Sequence, residues 1–80
     1  MDVYITVADL GLGETAISNV YGSFGAAMCE FHDPSYGAVT ETIDSVGQYG
    51  EQDYEVTIRN NDGYECAHGW IVKRTVRQGV

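Results

Sequence analysis

The chain has 80 residues, of which 44% are hydrophobic, and a formal net charge of −8. A chain of this length cannot divide into two independent cores, so we expect a single domain over residues 1–80. It contains no apolar run long enough to span a bilayer, and residues 1–3 lack the basic start of a secretory signal. These features predict a cytoplasmic protein with no membrane partner.

The order of the charges along the chain is more informative than their total. Residues 1–58 contain ten acidic residues and no Lys or Arg, which gives −10. Residues 59–80 contain two acidic and four basic residues, which gives +2. A chain with only structural demands usually intersperses the two signs. The absence of bases from residues 1–58 therefore indicates a surface that binds a positively charged partner.

The first element is predicted to be a strand, because Val3, Ile5 and Val7 alternate with more polar residues. A glycine loop over residues 9–13 follows it. From residue 14 to residue 29 the larger apolar residues are spaced three and four apart, which predicts an amphipathic helix. They are Ile17, Val20, Tyr21, Phe24, Ala27 and Met28.

A second helix is predicted from residue 34 to residue 47. Asp33 followed by Pro34 is typical of a helix N-cap with proline at the first helical position. Apolar residues then recur at helical spacing. They are Tyr36, Val39, Ile43 and Val46.

The C-terminal third predicts a β-hairpin. Residues 54–59 alternate as a strand, residues 60–63 read Asn-Asn-Asp-Gly, and residues 64–77 return as a long strand with a bulge expected at Gly69. The element order is therefore β-α-α-β-β. We expect an α+β fold in which two helices pack on one face of a small, mostly antiparallel three-stranded sheet.

Two motifs suggest a cofactor, and neither is convincing. Residues 11–16 match G-x-G-x-x-A, but 80 residues cannot build the doubly wound sheet that holds a dinucleotide. Two Cys-His pairs, Cys29 with His32 and Cys66 with His68, make a zinc site conceivable. The C-x-H spacing is not usual for zinc, and a Cys-His nucleophile would lack an orienting group. We therefore predict no catalytic residue, no metal and no cofactor.

The acidic residues are the candidate binding site. On the predicted second helix Glu41 and Asp44 share one side, and flanking carboxylates extend the row. Such a surface repels nucleic acid and attracts a basic groove built to hold it. The candidate contacts are Asp33, Glu41, Asp44, Glu51, Asp53 and Glu55, with Tyr49 and Tyr54 as aromatic anchors.

In size, acidity and content of tyrosine and glycine, the chain resembles small phage-encoded inhibitors of bacterial defence, especially anti-CRISPR proteins. The resemblance implies a viral, DNA-mimicking inhibitor, a monomer or small homo-oligomer, acting in the host cytoplasm. Its target would be the basic DNA-binding groove of a CRISPR effector complex such as a type I Cascade. An immunity protein or antitoxin against a basic nuclease, and a small Cys/His zinc-binding module, are the alternatives.

Overall fold

Five strands build one antiparallel sheet in the computed structural model, which describes residues 1–47 and 52–77. The elements are β1 (Asp2–Gly11), β2 (Glu14–Tyr21), α1 (Phe24–Cys29), a 3₁₀ turn (Pro34–Tyr36), β3 (Val39–Val46), β4 (Asp53–Asn60) and β5 (Glu65–Thr75). The strand order is β2-β1-β5-β4-β3, so the last strand lies at the centre and β2 and β3 form the edges. No helix among the described residues is long and apolar enough to cross a membrane.

The predicted α+β fold, with a three-stranded sheet and two helices, is wrong. The first half of the first predicted helix is strand β2, and most of the second is strand β3. Only six residues, Phe24–Cys29, form an α-helix. Ser23 is its N-cap, and the Ser23 side chain accepts a hydrogen bond from the Ala26 N–H.

A β-bulge explains why β2 has helical spacing in the sequence. Val7 pairs with Ile17, whereas Ile5 pairs with Val20, so the register shifts between them. Residues 17 and 20 therefore lie on the same face although they are three apart. The buried Thr6 hydroxyl stabilises the bulge, because it accepts a hydrogen bond from the Asn19 N–H (3.0 Å) and donates one to the Asn19 carbonyl (3.3 Å).

The β-branched side chains of β3 explain why this segment is a strand although its apolar residues have helical spacing. Val39, Thr40, Thr42, Ile43 and Val46 are β-branched, and such residues favour strands over helices. The predicted N-cap at Asp33 is confirmed, but the element that it caps is one 3₁₀ turn and not a long helix. Asp33 accepts a hydrogen bond from the Ser35 N–H at 2.8 Å, but it begins the 3₁₀ turn, with Pro34 in its first turn.

The C-terminal hairpin is confirmed as strands β4 and β5. In its turn the Asn60 side chain accepts hydrogen bonds from the N–H groups of Asp62 and Tyr64, both at 3.0 Å, and Gly63 has φ +83°. The predicted bulge at Gly69 is wrong. The register shift lies between Ile58 and Arg59, where β4 faces the start of β5.

Each face of the sheet carries its own apolar cluster. On the helix face, α1 and the residues after it pack against β4 and β5, with Ala27, Met28, Phe31, Val56, Ile58 and Ile71 buried. On the opposite face Val7, Trp70 and Val72 form a smaller buried cluster. The residues packed around that cluster, Ile5 and Val46, also come from strands.

Gly69 allows Phe31, in the segment that covers the sheet, to approach the backbone of β5 closely. A Cβ at this position would collide with the Val7 carbonyl oxygen and lie 2.7 Å from Phe31 Cε1. We expect Gly69→Ala to lower the free energy of unfolding by about 3 kcal/mol, because backbone on one side leaves little room to relax. At Gly25 in α1, an added Cβ would have no atom within 4 Å. We therefore expect Gly25→Ala to raise the free energy of unfolding by about 0.5–1 kcal/mol, because alanine favours a helix more than glycine does. Denaturant unfolding measures both, and equal stabilities would contradict the packing described.

Candidate functional site

The bases of β5 pair with acids on the two strands beside it. Lys73 Nζ lies 3.6 Å from Asp2 Oδ2 on β1, and Arg74 Nη1 lies 2.9 Å from Asp53 Oδ1 on β4. His68 bridges both neighbours in the same way. The excess of acid in the first 58 residues is thus partly neutralised by the strand that folds between β1 and β4.

Asp53 is the one fully buried carboxylate among the described residues, and Arg74 is its ionic partner. Arg74 Nη1 also donates a hydrogen bond to the Lys73 carbonyl at 2.7 Å, which fixes its position over the sheet. Within the described part of the chain Asp53 Oδ2 has no hydrogen-bond partner. Such a carboxylate depends on its single cation, because an uncompensated buried charge is strongly destabilising.

His68 lies between two carboxylates on the sheet face opposite α1. Its Nδ1 is 2.6 Å from Asp9 Oδ2 and its Nε2 is 2.9 Å from Glu55 Oε2. An imidazole donates through both nitrogens only when it is protonated. The ring also lies against Trp70, with 5.0 Å between centroids.

The surroundings of His68 set its titration. Partial burial lowers the pKa of His68, but the hydrogen bonds to the two carboxylates, together with the charge of Glu65, outweigh burial and raise it above the usual value. The pKa of Asp9 is lowered, first because the carboxylate accepts a hydrogen bond from the Gly11 N–H at 2.8 Å and then because it is hydrogen-bonded to His68. Both shifts favour the charged, bridged form.

The predicted contact residues do not form one line. Glu41 lies on the α1 side of β3, where its Oε1 is 2.8 Å from His32 Nε2. Asp44 lies on the opposite side, directly across from Glu55. The remaining described candidates are placed as follows: Asp33 caps the 3₁₀ turn, Asp53 is buried, and Tyr54 packs edge-on against Phe24. Tyr49 and Glu51 lie outside the described residues.

Strand β3 is the acidic edge of the sheet. All its residues from Thr40 to Ser45 are exposed. The cross-strand partners of Glu41 and Asp44 are Ile58 and Glu55, so neither acid faces a Lys or Arg across the ladder. Asp44 forms no ion pair within the described part of the chain, and it stands opposite another carboxylate.

Strand β2 is the apolar edge, and sequence analysis missed it. Ile17 is 74% exposed and Val20 is 60% exposed. The helix prediction had assigned both to an apolar helix face. The available signal was the absence of any charged residue from 15 to 29. Beside this edge lies an open cavity of about 380 Å³, lined by Ile5, Val7, Thr15, Ile17, Val72 and Arg74.

The motifs that suggested a cofactor have structural roles. Gly11, Leu12 and Gly13 all have positive φ and form the tight turn between β1 and β2, so no helix follows the G-x-G segment. Cys66 packs against the α1-side cluster, whereas His68 lies on the other face, although residues two apart in a regular strand would share a face. Among the described residues no group of His, Cys, Asp and Glu is arranged to hold a metal ion.

Comparisons of the chain with protein-family models, with curated proteins and with solved structures found no match. The arrangement closest to a catalytic one is His68 with its two carboxylates, but both ring nitrogens are occupied by them. The two sheet edges are the surfaces that remain, one acidic and one apolar.

The His68 bridge predicts a pH dependence of stability. A histidine whose pKa is raised on folding stabilises fully below its unfolded value of about 6.5, and the effect is lost as the pH rises through the folded value. We expect the free energy of unfolding to fall by on the order of 1 kcal/mol between about pH 6 and pH 8. His68→Gln should flatten this slope, and His32→Gln should retain it. Urea denaturation across this range measures it, and an unchanged slope in His68→Gln would contradict the bridge.

We expect a larger loss of stability when the cationic partner of Asp53 is removed. Arg74→Met leaves the buried carboxylate without its cation, and we expect the free energy of unfolding to fall by about 3 kcal/mol. Arg77→Met removes the same charge from an exposed position and should change stability by less than about 0.5 kcal/mol. If chemical denaturation finds the two variants equally stable, the Arg74–Asp53 pair does not hold β5 to β4.

Proposed function

We propose that the protein is a non-enzymatic acidic inhibitor that docks on a basic nucleic-acid-binding groove through edge strand β3 and the adjoining β4. The observation that carries this proposal is the position of Asp44, which is exposed, has no ion pair in the described part of the chain and stands directly opposite Glu55. Glu55 is half-buried and shares its charge with His68, so Asp44 is the carboxylate of this pair that lacks a cation. Like charges directly across a ladder are destabilising. A Lys or Arg from a partner, placed between the two carboxylates, would remove that repulsion.

The shape of the edge supports the same conclusion. Glu41 and Asp44 are about 10 Å apart along the strand at 3.3 Å per residue, and they project to opposite faces. A groove that encloses nucleic acid presents cations from more than one wall, and a thin acidic edge can enter such a groove. The negative sheet edge would then occupy the place of the phosphate backbone.

The resemblance in size and composition to anti-CRISPR proteins gives the proposal its specific form. The partner is a CRISPR effector complex of the Cascade type, the inhibited step is target-DNA binding, and the site of action is the host cytoplasm. Attraction between opposite charges predicts fast, salt-sensitive association. The inhibitor acts stoichiometrically and needs neither metal nor cofactor.

The test is displacement of a labelled target duplex from a purified type I Cascade, followed by fluorescence anisotropy. We expect the protein to displace DNA at low salt and to lose affinity as salt rises from about 0.05 to about 0.5 M. The double variant Glu41→Gln with Asp44→Asn should weaken inhibition by about tenfold or more, because both of its changes remove charge from the acidic edge.

The matched control changes the same number of charges elsewhere. Glu14 begins β2 and Asp62 lies in the β4–β5 turn, so Glu14→Gln with Asp62→Asn leaves β3 intact. This control should inhibit within about twofold of the unchanged protein. Equal loss in both double variants would show that total charge, and not the β3 edge, governs binding. Failure to displace DNA at any salt would refute the Cascade target.

A further inference from the structure

Both histidines of the chain contact carboxylates of the proposed docking edge. His32 Nε2 lies 2.8 Å from Glu41 Oε1 on β3. His68 Nε2 lies 2.9 Å from Glu55 Oε2 on β4. Together with Asp44, these two glutamates are the acids through which the protein would contact a basic groove, and we refer to the three as the docking acids. Two of the three docking acids therefore already have a titratable partner within hydrogen-bond distance.

The two histidine–carboxylate pairs lie on opposite faces of the sheet. Glu41 stands across the ladder from Ile58, a member of the α1-side cluster. Glu55 and His68 lie on the face opposite α1. His32 follows α1 in the chain, whereas His68 belongs to the central strand β5. A groove that encloses the edge would therefore meet one such pair on each face.

Loss of a proton from His68 leaves the charge of Glu55 uncompensated. The ring lies between Asp9 on β1 and Glu55 on β4, and a neutral imidazole has one N–H and donates to only one of them. Glu65 on the same strand adds negative charge nearby, and Arg59 stands across the ladder from Glu65. Partial burial lowers the pKa of His68, but the hydrogen bonds to the two carboxylates outweigh burial and raise the pKa above its usual value. The ring is therefore charged at about pH 6 and loses its proton at higher pH.

His32 compensates Glu41 on the other face. The acids nearest to His32 along the chain are already engaged, since Glu30 accepts hydrogen bonds from β2 and Asp33 accepts one from the Ser35 N–H. Glu41, which comes from β3, is the carboxylate with which the ring pairs. Histidine is the side chain whose charge ordinarily changes between about pH 5 and pH 8. The charge on this face of the edge therefore also depends on a histidine.

A cation from a partner would compete with the protonated histidines. The side chains of Glu41 and Glu55 are 45% and 36% exposed, so a Lys or Arg from outside can reach either carboxylate. That cation would share the carboxylate with a protonated imidazole, and like charges within about 4–6 Å disfavour one another. Protonation of the histidine and binding of a cation at the same glutamate are therefore antagonistic.

We propose that docking on a basic partner is coupled to the loss of protons from His32 and His68, so that the protein binds more tightly at about pH 8 than at about pH 6. This coupling rests on the docking surface proposed above. With both rings protonated, the three docking acids and the two histidines carry a net charge of −1, and with both rings neutral they carry −3. Linkage is reciprocal, so a bound cation lowers the proton affinity of the rings as much as their protons weaken its binding.

An oligoarginine peptide with acetylated and amidated ends tests the coupling, because its guanidinium groups stay charged throughout this range and its ends do not titrate. Isothermal titration calorimetry at about 0.05 M salt measures its binding to the full chain. We expect the dissociation constant to be about tenfold lower at about pH 8 than at about pH 6. Two buffers of different ionisation enthalpy should show that protons are released on binding. Equal affinity at the two pH values, or uptake of protons, would overturn the proposal.

Glutamine variants assign the coupling to the histidines, since glutamine keeps an N–H donor and does not titrate. We expect His32→Gln and His68→Gln each to retain about a threefold dependence on pH, and the double variant to bind within about twofold at both pH values. The double variant keeps every other group that titrates near neutrality, including Cys29 and Cys66. A tenfold dependence that persists in it would refute the coupling, and circular dichroism checks that each variant folds.

Nuclear magnetic resonance of the unmodified protein provides a readout that needs no variant. The imidazole C–H resonances report the titration of each ring separately. With the peptide at saturation, we expect the titration of both rings to move to lower pH. Unmoved titration curves in the complex would contradict competition at the docking acids.

Charge-matched variants locate the peptide. Glu41→Gln with Asp44→Asn should weaken its binding at about pH 8 by about tenfold, and Glu14→Gln with Asp62→Asn should leave it within about twofold. Equal losses would place the peptide elsewhere and overturn the coupling. A tenfold pH dependence for the peptide with no displacement of DNA from Cascade would reject that target and support the coupling. Displacement of DNA that is equal at both pH values would support the docking function and reject the coupling.

Discussion

The sheet depends on the cations of its central strand. Residues 1–58 contain no Lys or Arg, so β1 brings acids and no base to β5, and the base of β4 is Arg59, near the end of the strand. Strand β5 brings His68, Lys73 and Arg74, and each pairs with an acid on β1 or β4. A sheet in which β1 and β4 met directly would place their acids together without a cation between them. The central position of the last strand follows from this charge constraint as well as from its buried apolar residues.

The ion pairs of β5 change the interpretation of residues 1–58, whose charged side chains are all acidic. A block of acids followed by a few bases looks like a functional asymmetry when it is read as a string. In the folded chain much of it is internal matching, because Asp2, Asp9, Asp53 and Glu55 all have cationic partners on β5. What remains for an external partner is smaller and better localised. It includes the β3 edge, where Asp44 faces Glu55 and neither Glu41 nor Asp44 stands across the ladder from a Lys or Arg.

The sequence predicts the strands that alternate regularly and fails where the alternation is interrupted. Strands β1, β4 and β5 and the Asn60 turn follow from period-two patterns and turn residues. Strand β2 does not, because the bulge at Asn19 depends on Thr6, thirteen residues away in sequence. One extra residue converts alternation into the three-residue spacing of a helix. The placement of the candidate residues was missed for a related reason: a helix would put Glu41 and Asp44 on one side, whereas a strand sends them to opposite faces.

The two edge strands of an open sheet are under the same constraint, because each can pair with a strand of another molecule and cause aggregation. Acids on β3 disfavour pairing of that edge with another acidic strand, and the same charges are the ones that the proposed basic partner would contact. Strand β2 carries no charge of its own after Glu14 and exposes Ile17 and Val20, so it is the edge at which another strand could add more readily.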